Sequence, residues 1–480
     1  MRCALTAVVV SLTLVPAAAQ PPLIPAGDKV IIPITISPAP IPKPASRYLL
    51  QPQYTEIQPG EKLAGFLKCF MEQNVFFNTE NSMKREAWNQ LPLDELPLDE
   101  IKEHGVFNGI AYTPPYAGMM VFMDQAARYD RVEWNIRHNL RKDGWRALLP
   151  DVQKLRELAS VLKLRMRAEI KAGEFAKATE TSKTLFGLAR MLEQHPTLIG
   201  YLVGVAIATI AVEALEEMVQ QPGCPNLYWG LTELGSPVLD LRLAVQGERT
   251  FLSEQHRPLL DATGPISQSE LAKYLKQLDT DFAVELGGKN DTFPATTHYT
   301  KLAENAKQVE AARAFLIDSG KKPEHVKTFT PLQVIATYDL RQYEVHRDEY
   351  IKLIPLPLWQ FRPLAASLED NLKQLQDDGK LLLAPRIVAS FGKVRQIQAR
   401  LDQRVAFLRV IEGIRLYAHE NGGTLPASLD DIPLPLPLDP VNGLPFVYGV
   451  RDNNVVTLHG ANPIPENAIA NRHYEIRVQK

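Results

Sequence analysis

From about Glu61 onwards, apolar residues recur three and four positions apart, and the alternating runs that mark strands are few. The period predicts a mostly α fold, an array or bundle of helical hairpins. One amphipathic helix is expected over 151–171, where Leu155, Leu158, Leu162 and Met166 mark successive turns behind Pro150. Gly173 separates it from a second helix ending near Glu193, and the two form an antiparallel hairpin. Further helices are expected at 267–285, 298–319, 331–354, 365–378 and 386–421. Pro196 to Val212 runs seventeen residues without a charge. A spanning helix needs about 20 apolar residues, and Glu213, Glu216 and Glu217 close this run. It is expected to be a central buried helix, with Gly200 and Gly204 letting neighbouring helices approach.

After Asn421 the pattern changes. Gly422-Gly423 ends the last helix, and two short apolar runs, Leu444 to Val450 and Val455 to His459, flank a polar turn that predicts a β-hairpin. His473 to Val478 is a candidate third strand. Residues 422–480 are therefore expected to form a small α+β module on a helical domain, 47–421, which one or two subdomains could fill.

The other end has a different composition. Arg2, an apolar run from Ala4 to Val15, and Ala17 and Ala19 as a small-x-small cleavage site predict a signal peptide over 1–19. The export it implies is to the periplasm or beyond, with no transmembrane helix left after cleavage. Residues 20–46 are rich in proline and lack helical periodicity, which predicts an extended tether.

Charge changes the picture little. The chain has 53 Lys+Arg against 55 Asp+Glu, a near-neutral balance that argues against nucleic-acid binding. Two helical segments are locally basic: 128–171 holds twelve basic and six acidic residues, and 386–415 holds seven and two. Such runs are expected to be solvated faces. Cys69 and Cys224 are the cysteines left after cleavage, and either one disulfide or two buried thiols fits them.

Common catalytic signatures are absent. There is no phosphate-binding glycine loop, no H-E-x-x-H, no G-x-S-x-G elbow, and no motif for a cofactor or a metal. Ser-x-x-Lys occurs at Ser160/Lys163 and Ser390/Lys393 without the companion motifs of serine acyl enzymes. The strongest polar constellation is Asp339, Tyr343, His346 and Tyr350, whose offsets of four, three and four put them on one helix face. An acid, a histidine and two phenols could do acid/base work if they line a cleft, and otherwise form a half-buried packing face. Trp134 with His138, and Tyr228 with Trp229, are expected to pack.

Tyr417-Ala-His-Glu-Asn421-Gly-Gly-Thr-Leu-Pro426 and Leu438-Asp439-Pro440-Val-Asn-Gly443-Leu-Pro445-Phe-Val-Tyr448 resemble the globular end of type II secretion major pseudopilins, over about 50 residues. The family's prepilin-type leader, N-terminal apolar helix and calcium loop are not recognisable, so the resemblance does not imply assembly into a pseudopilus. Glu193-Gln-His195-Pro196-Thr-Leu-Ile-Gly200 and Pro222-Gly-Cys224-Pro-Asn-Leu-Tyr-Trp229 resemble uncharacterised exported proteins of planctomycete-type bacteria, which implies an envelope setting and no particular activity. The expectation is an exported envelope binding or scaffold protein whose partner is another protein. An envelope hydrolase using the Asp339/His346 face and an accessory role in secretion are the alternatives. Oligomeric state stays open.

Overall fold

A computed structural model describes residues 24–26, 29–72, 76–104, 117–136, 138–140, 147, 149–285, 295–452, 454–461 and 471–479. The segment read as a signal peptide lies outside them. The fold is mostly α with a small α+β module at its C-terminal end.

Among the described residues, four helices precede the centre: α1 (Lys62–Glu72), α2 (Thr79–Gln90), α3 (Leu98–Glu103) and α4 (Ala117–Ala127). The centre is α5 (Pro150–Lys171), α6 (Phe175–Glu193) and α7 (Leu198–Met218). Next come α8 (Tyr228–Glu233), α9 (Arg242–Gln255), α10 (Arg257–Leu260), α11 (Gln268–Glu285), α12 (Ala295–Ala303), α13 (Ala306–Asp318) and α14 (Pro323–Thr328). The last four are α15 (Pro331–Ile351), α16 (Leu358–Asp377), α17 (Leu383–Ile387) and α18 (Ala389–Glu420).

The expected hairpin is α5 with α6. Gly173 sits at φ +73, the left-handed region that glycine adopts without penalty. Its N–H bonds Ile170 O while Glu174 N–H reaches back to Glu169 O, so the last carbonyls of α5 are satisfied as the chain turns. α7 starts at Thr197, whose hydroxyl accepts from Gly200 N at 3.1 Å. It is long and apolar enough to cross a membrane, yet it is packed inside the body against α5, α6 and α18. A Cβ on Gly204 would lie 3.0 Å from Ala189 O, so the absence of a side chain there sets the α6–α7 approach. The expected helix over 298–319 is two helices, because Asn305 turns its side chain onto Lys307 N and Gln308 N and caps α13 afresh.

The described residues form two sheets. β3 (Gln58–Glu61) pairs with β4 (Tyr129–Arg131). The larger sheet contains β1 (Ile24–Ala26), β2 (Lys29–Ile36), β5 (Val447–Asp452), β6 (Val455–His459) and β7 (Arg472–Val478), in the order β1-β2-β7-β6-β5. This corrects the reading of 20–46 as a tether: residues 29–36 form a strand parallel to β7, from Val30 opposite Arg472 to Ile36 opposite Val478. Val30, Ile32, Ile34 and Ile36 are buried and the intervening residues less so. Pro33 is tolerated because of its parity. Val30 N–H bonds toward β7 at Asn471 O, whereas Thr35 N–H points the other way, to Gln220. The N–H that Pro33 lacks would have faced away from β7, beyond the last residue paired with β1. Residues past the strand stay on the body as well, with Ala39 buried and its N–H bonded to Arg415 O. One cluster of buried apolar side chains runs from Val30 to Val478, so body and module share a core.

The basic runs are solvated only in part, which is a second correction: Arg131, Lys154, Arg156 and Lys393 are exposed, but other members lie inside. Lys163, Arg165, Arg167 and Glu169 of α5 are buried, as are Arg395, Arg404 and Arg415 of α18. Arg165 grips Asp124 through one nitrogen at 3.0 and 3.1 Å and reaches Glu169 at 3.0 Å. Arg167 bonds Glu217 at 2.7 Å and fills its other donors with the carbonyls of Trp88, Asn89 and Leu91. Arg415 pairs with Glu412 at 2.9 Å, both fully buried. Paired and hydrogen-bonded in this way, charges can lie inside.

Candidate functional site

The constellation Asp339, Tyr343, His346 and Tyr350 lies on α15, where its residues serve separate partners. Asp339, 1% exposed, accepts from Leu382 N at 3.0 Å and Leu383 N at 3.2 Å, capping the start of α17, and also from the Tyr299 hydroxyl. Tyr350 is fully buried and donates to Glu369 Oε1 at 2.6 Å, its ring edge-on to Phe361. Burial and this carboxylate push its phenol well above the ordinary range. Tyr343 is buried beside Arg347, its phenol likewise raised by desolvation. His346 is half-buried, and desolvation lowers its pKa. Asp339, Tyr343 and Tyr350 are thus packed inside against neighbours of their own, and His346 is the member of the row that reaches toward solvent.

Two acids with shifted pKa values also accept from backbone, as Asp339 does. Burial raises Glu248 to about 7 and Asp402 to about 6, shifts of the kind that mark functional sites. Yet Glu248 accepts from Leu198 N at 3.0 Å, at the start of α7, and Asp402 from Val238 N at 2.8 Å. Both groups satisfy backbone donors.

No disulfide joins Cys69 and Cys224, which are buried thiols. Cys224 donates to Pro225 O at 3.3 Å beside Arg415, and burial pushes its thiol up to about 12. Trp134 packs against His195 with ring centroids 4.5 Å apart, while His138 is exposed, so the first expected aromatic pair forms with a different histidine. Tyr228 and Trp229 meet edge-on at 5.1 Å. Among the described residues, no group of three or more His, Cys, Asp or Glu could hold a metal ion.

A concave site does exist between α2, α5 and α7, with a volume of about 450 Å³. The buried face of α5 carries Leu155, Leu158 and Leu162 inward. The opposite face presents Arg156, Glu157 and Ser160 to the pocket, opposite Arg85, Glu86 and Asn89 of α2. The floor is the less buried stripe of α7, at Ala206 and Ile210. Arg85 donates to Phe76 O at 2.6 Å and to Ser82 Oγ at 3.0 Å, with its guanidinium 4.1 Å from the Phe76 ring centre. Desolvation lowers its pKa to about 10, so the group remains a cation at neutral pH. Asn89 gives its amide nitrogen to Ser160 O at 3.0 Å and Oγ at 3.1 Å, and its Oδ1 is buried with no partner.

This site contains Ser160 and Lys163, but they do not form a nucleophile and base. The hydroxyl is engaged by Asn89, and the Lys163 amine donates to Glu213 at 3.3 Å. Ser390 falls among side chains outside the described ones. The pocket offers fixed charges of both signs, an unfilled acceptor and an apolar floor, an arrangement suited to recognition. Sequence reasoning missed Arg85, Asn89 and Arg156 because they come together only when α2 packs on α5. The Ser-x-x-Lys spacing was the one signal nearby.

No protein-family model, curated protein or solved structure matches the chain.

His473 gives a pH signature. It stacks on His459 across β6 and β7 at 4.1 Å, and desolvation, His459 and Lys29 together lower its pKa from 6.5 to about 4. The folded state then binds fewer protons here than the unfolded state, so this contribution is full above pH 6.5 and is lost as pH falls toward 4. The raised acids Glu248 and Asp402 act in the opposite sense, so a difference measurement isolates the histidine. His473→Phe, which keeps a ring in the stack, should gain stability relative to wild type as pH is lowered through that window in urea titrations. A difference independent of pH would contradict the assignment.

Proposed function

We propose that the protein is an exported binding protein of the cell envelope, and that it recognises a segment of another envelope protein in the pocket between α2, α5 and α7. The leader read over 1–19 supports the export. The observation that carries the binding reading is the pocket itself: charged groups of both signs around about 450 Å³, with Arg85 held by Phe76 O and the Ser160 hydroxyl and Lys163 amine already hydrogen-bonded to Asn89 and Glu213. A partner segment carrying both charges and a short apolar side chain would match the walls and the floor.

Residues 20–480, immobilised and exposed to envelope extract at low and high salt, are expected to retain one protein in stoichiometric amount. The charge swap Arg156→Glu/Glu157→Lys, at two exposed positions, should reduce its retention roughly tenfold without changing the melting curve. Equal retention by wild type and swap, or no retained protein, would overturn the reading.

A further inference from the structure

A second cavity, of about 260 Å³, lies at the N-terminal end of α5, shares no wall residue with the charged pocket, and is bordered by two buried donors that have no partner. His195 is fully buried, and its Nδ1 accepts from Thr197 N–H at 3.2 Å. Nδ1 therefore carries no proton, and Nε2–H is the donor. That Nε2 has no hydrogen-bond partner. Its direction follows from Gly200: a Cβ there would lie 2.2 Å from both Cγ and Nδ1, so this edge of the ring faces α7 and the Nε2 vertex points away from it. Burial lowers the His195 pKa to about 4, which keeps the ring neutral at physiological pH.

Trp134, stacked edge-on against this ring, lines the same cavity, and its Nε1–H is also buried without a partner. An indole nitrogen can only donate. The third source of donors is α5 itself, 22 residues long. Its N-cap, Leu149, makes no side-chain hydrogen bond, and the first turn at Asp151 and Val152 forms part of the wall. Amides of a first turn have no partner within the helix.

Unpartnered donors at the border of a cavity call for an oxygen acceptor. Its charge is set by the rest of the wall, which among the described residues holds the carboxylates of Glu133 and Asp151 and no lysine or arginine. An anion would be repelled. Leu63, Ile136 and Val152 supply apolar contact for a small hydrocarbon group.

We propose that this cavity binds a small neutral carboxamide, whose carbonyl oxygen accepts from His195 Nε2–H and Trp134 Nε1–H while its N–H groups turn toward Glu133 and Asp151. The site is independent of the charged pocket and extends the function beyond partner recognition to capture of a small molecule.

Isobutyramide is the probe, and isobutyrate, its anionic isostere, is the control. In the ¹⁵N-labelled full chain, the Trp134 indole N–H signal, assigned by its loss in Trp134→Phe, should move saturably as isobutyramide is added. Isobutyrate should bind at least tenfold more weakly. His195→Phe keeps the ring but removes the donor and should weaken isobutyramide roughly tenfold, about the effect of one hydrogen bond. Trp134→Phe, followed by calorimetry, should do the same and stands in if His195→Phe does not fold. The Arg156→Glu/Glu157→Lys swap should leave isobutyramide affinity unchanged, which separates this site from the partner-binding pocket. Absence of a saturable shift, equal affinity for isobutyrate, or wild-type affinity in both ring variants would overturn the proposal.

Discussion

Glu216→Leu is expected to lower the unfolding free energy by about 3–5 kcal/mol, the usual result of removing one partner from a buried ion pair. Glu216 is buried on α7 and accepts from Arg404 of α18 at 2.8 Å, from Arg472 of β7 at 3.4 Å and from the Tyr474 hydroxyl at 2.9 Å. Its carboxylate thus ties the apolar central helix, the last long helix and the sheet together. Burial alone would raise its pKa, but Arg404 and Arg472 more than offset this and hold it below the ordinary value. The leucine leaves Arg404 with Glu213 alone, at 3.4 Å. Urea unfolding followed by far-ultraviolet circular dichroism measures the loss. Adding Arg404→Met should recover part of it, because the stranded cation is the costly species. A loss under about 1 kcal/mol would show that water or rearrangement compensates the arginines.

The second large effect concerns the N-terminal strand. A chain beginning at Ser37 lacks β2 and with it the buried Val30, Ile32, Ile34 and Ile36. Burial of each contributes about 1.5–3 kcal/mol, so together they rival the roughly 5–15 kcal/mol that holds a whole domain folded. The shortened chain should lose the sheet, melt at least 10 °C lower by the usual rough scaling, and be cut by protease within 447–478. A tether would be dispensable, and an unchanged melting curve would restore that reading.

What the sequence made legible follows from the range of the forces involved. α5, α6, α11 and α15 were readable because one apolar stripe and its caps lie within each segment, and α7 because its charge-free run is too long for a loop. The β5–β6 hairpin was readable from its own turn. β2 was not: its alternating isoleucines sit among prolines, and only the position of β7 shows that the missing N–H of Pro33 costs nothing. The buried arginines of α5 and α18 were not legible for the same reason, since a guanidinium goes inside only when its carboxylate arrives from elsewhere, as Glu217 does for Arg167. Asp339, Tyr343 and Tyr350 were correctly placed on one face, but the partners that decide their role, Leu382, Leu383 and Glu369, belong to other helices.

The parallel pairing of β2 with β7 also fixes an order of events. Contacts within α5, α6 and α7 are local and can form as soon as those segments are available, whereas β2 meets its mate only when residues 472–478 arrive. During delivery from the N-terminus, the four apolar side chains of β2 wait in the open while the helices condense. Closing the sheet is thus a completeness check. A chain interrupted before β7 keeps a bare, sticky strand near its front, the kind of signal by which quality-control proteases and chaperones single out unfinished molecules.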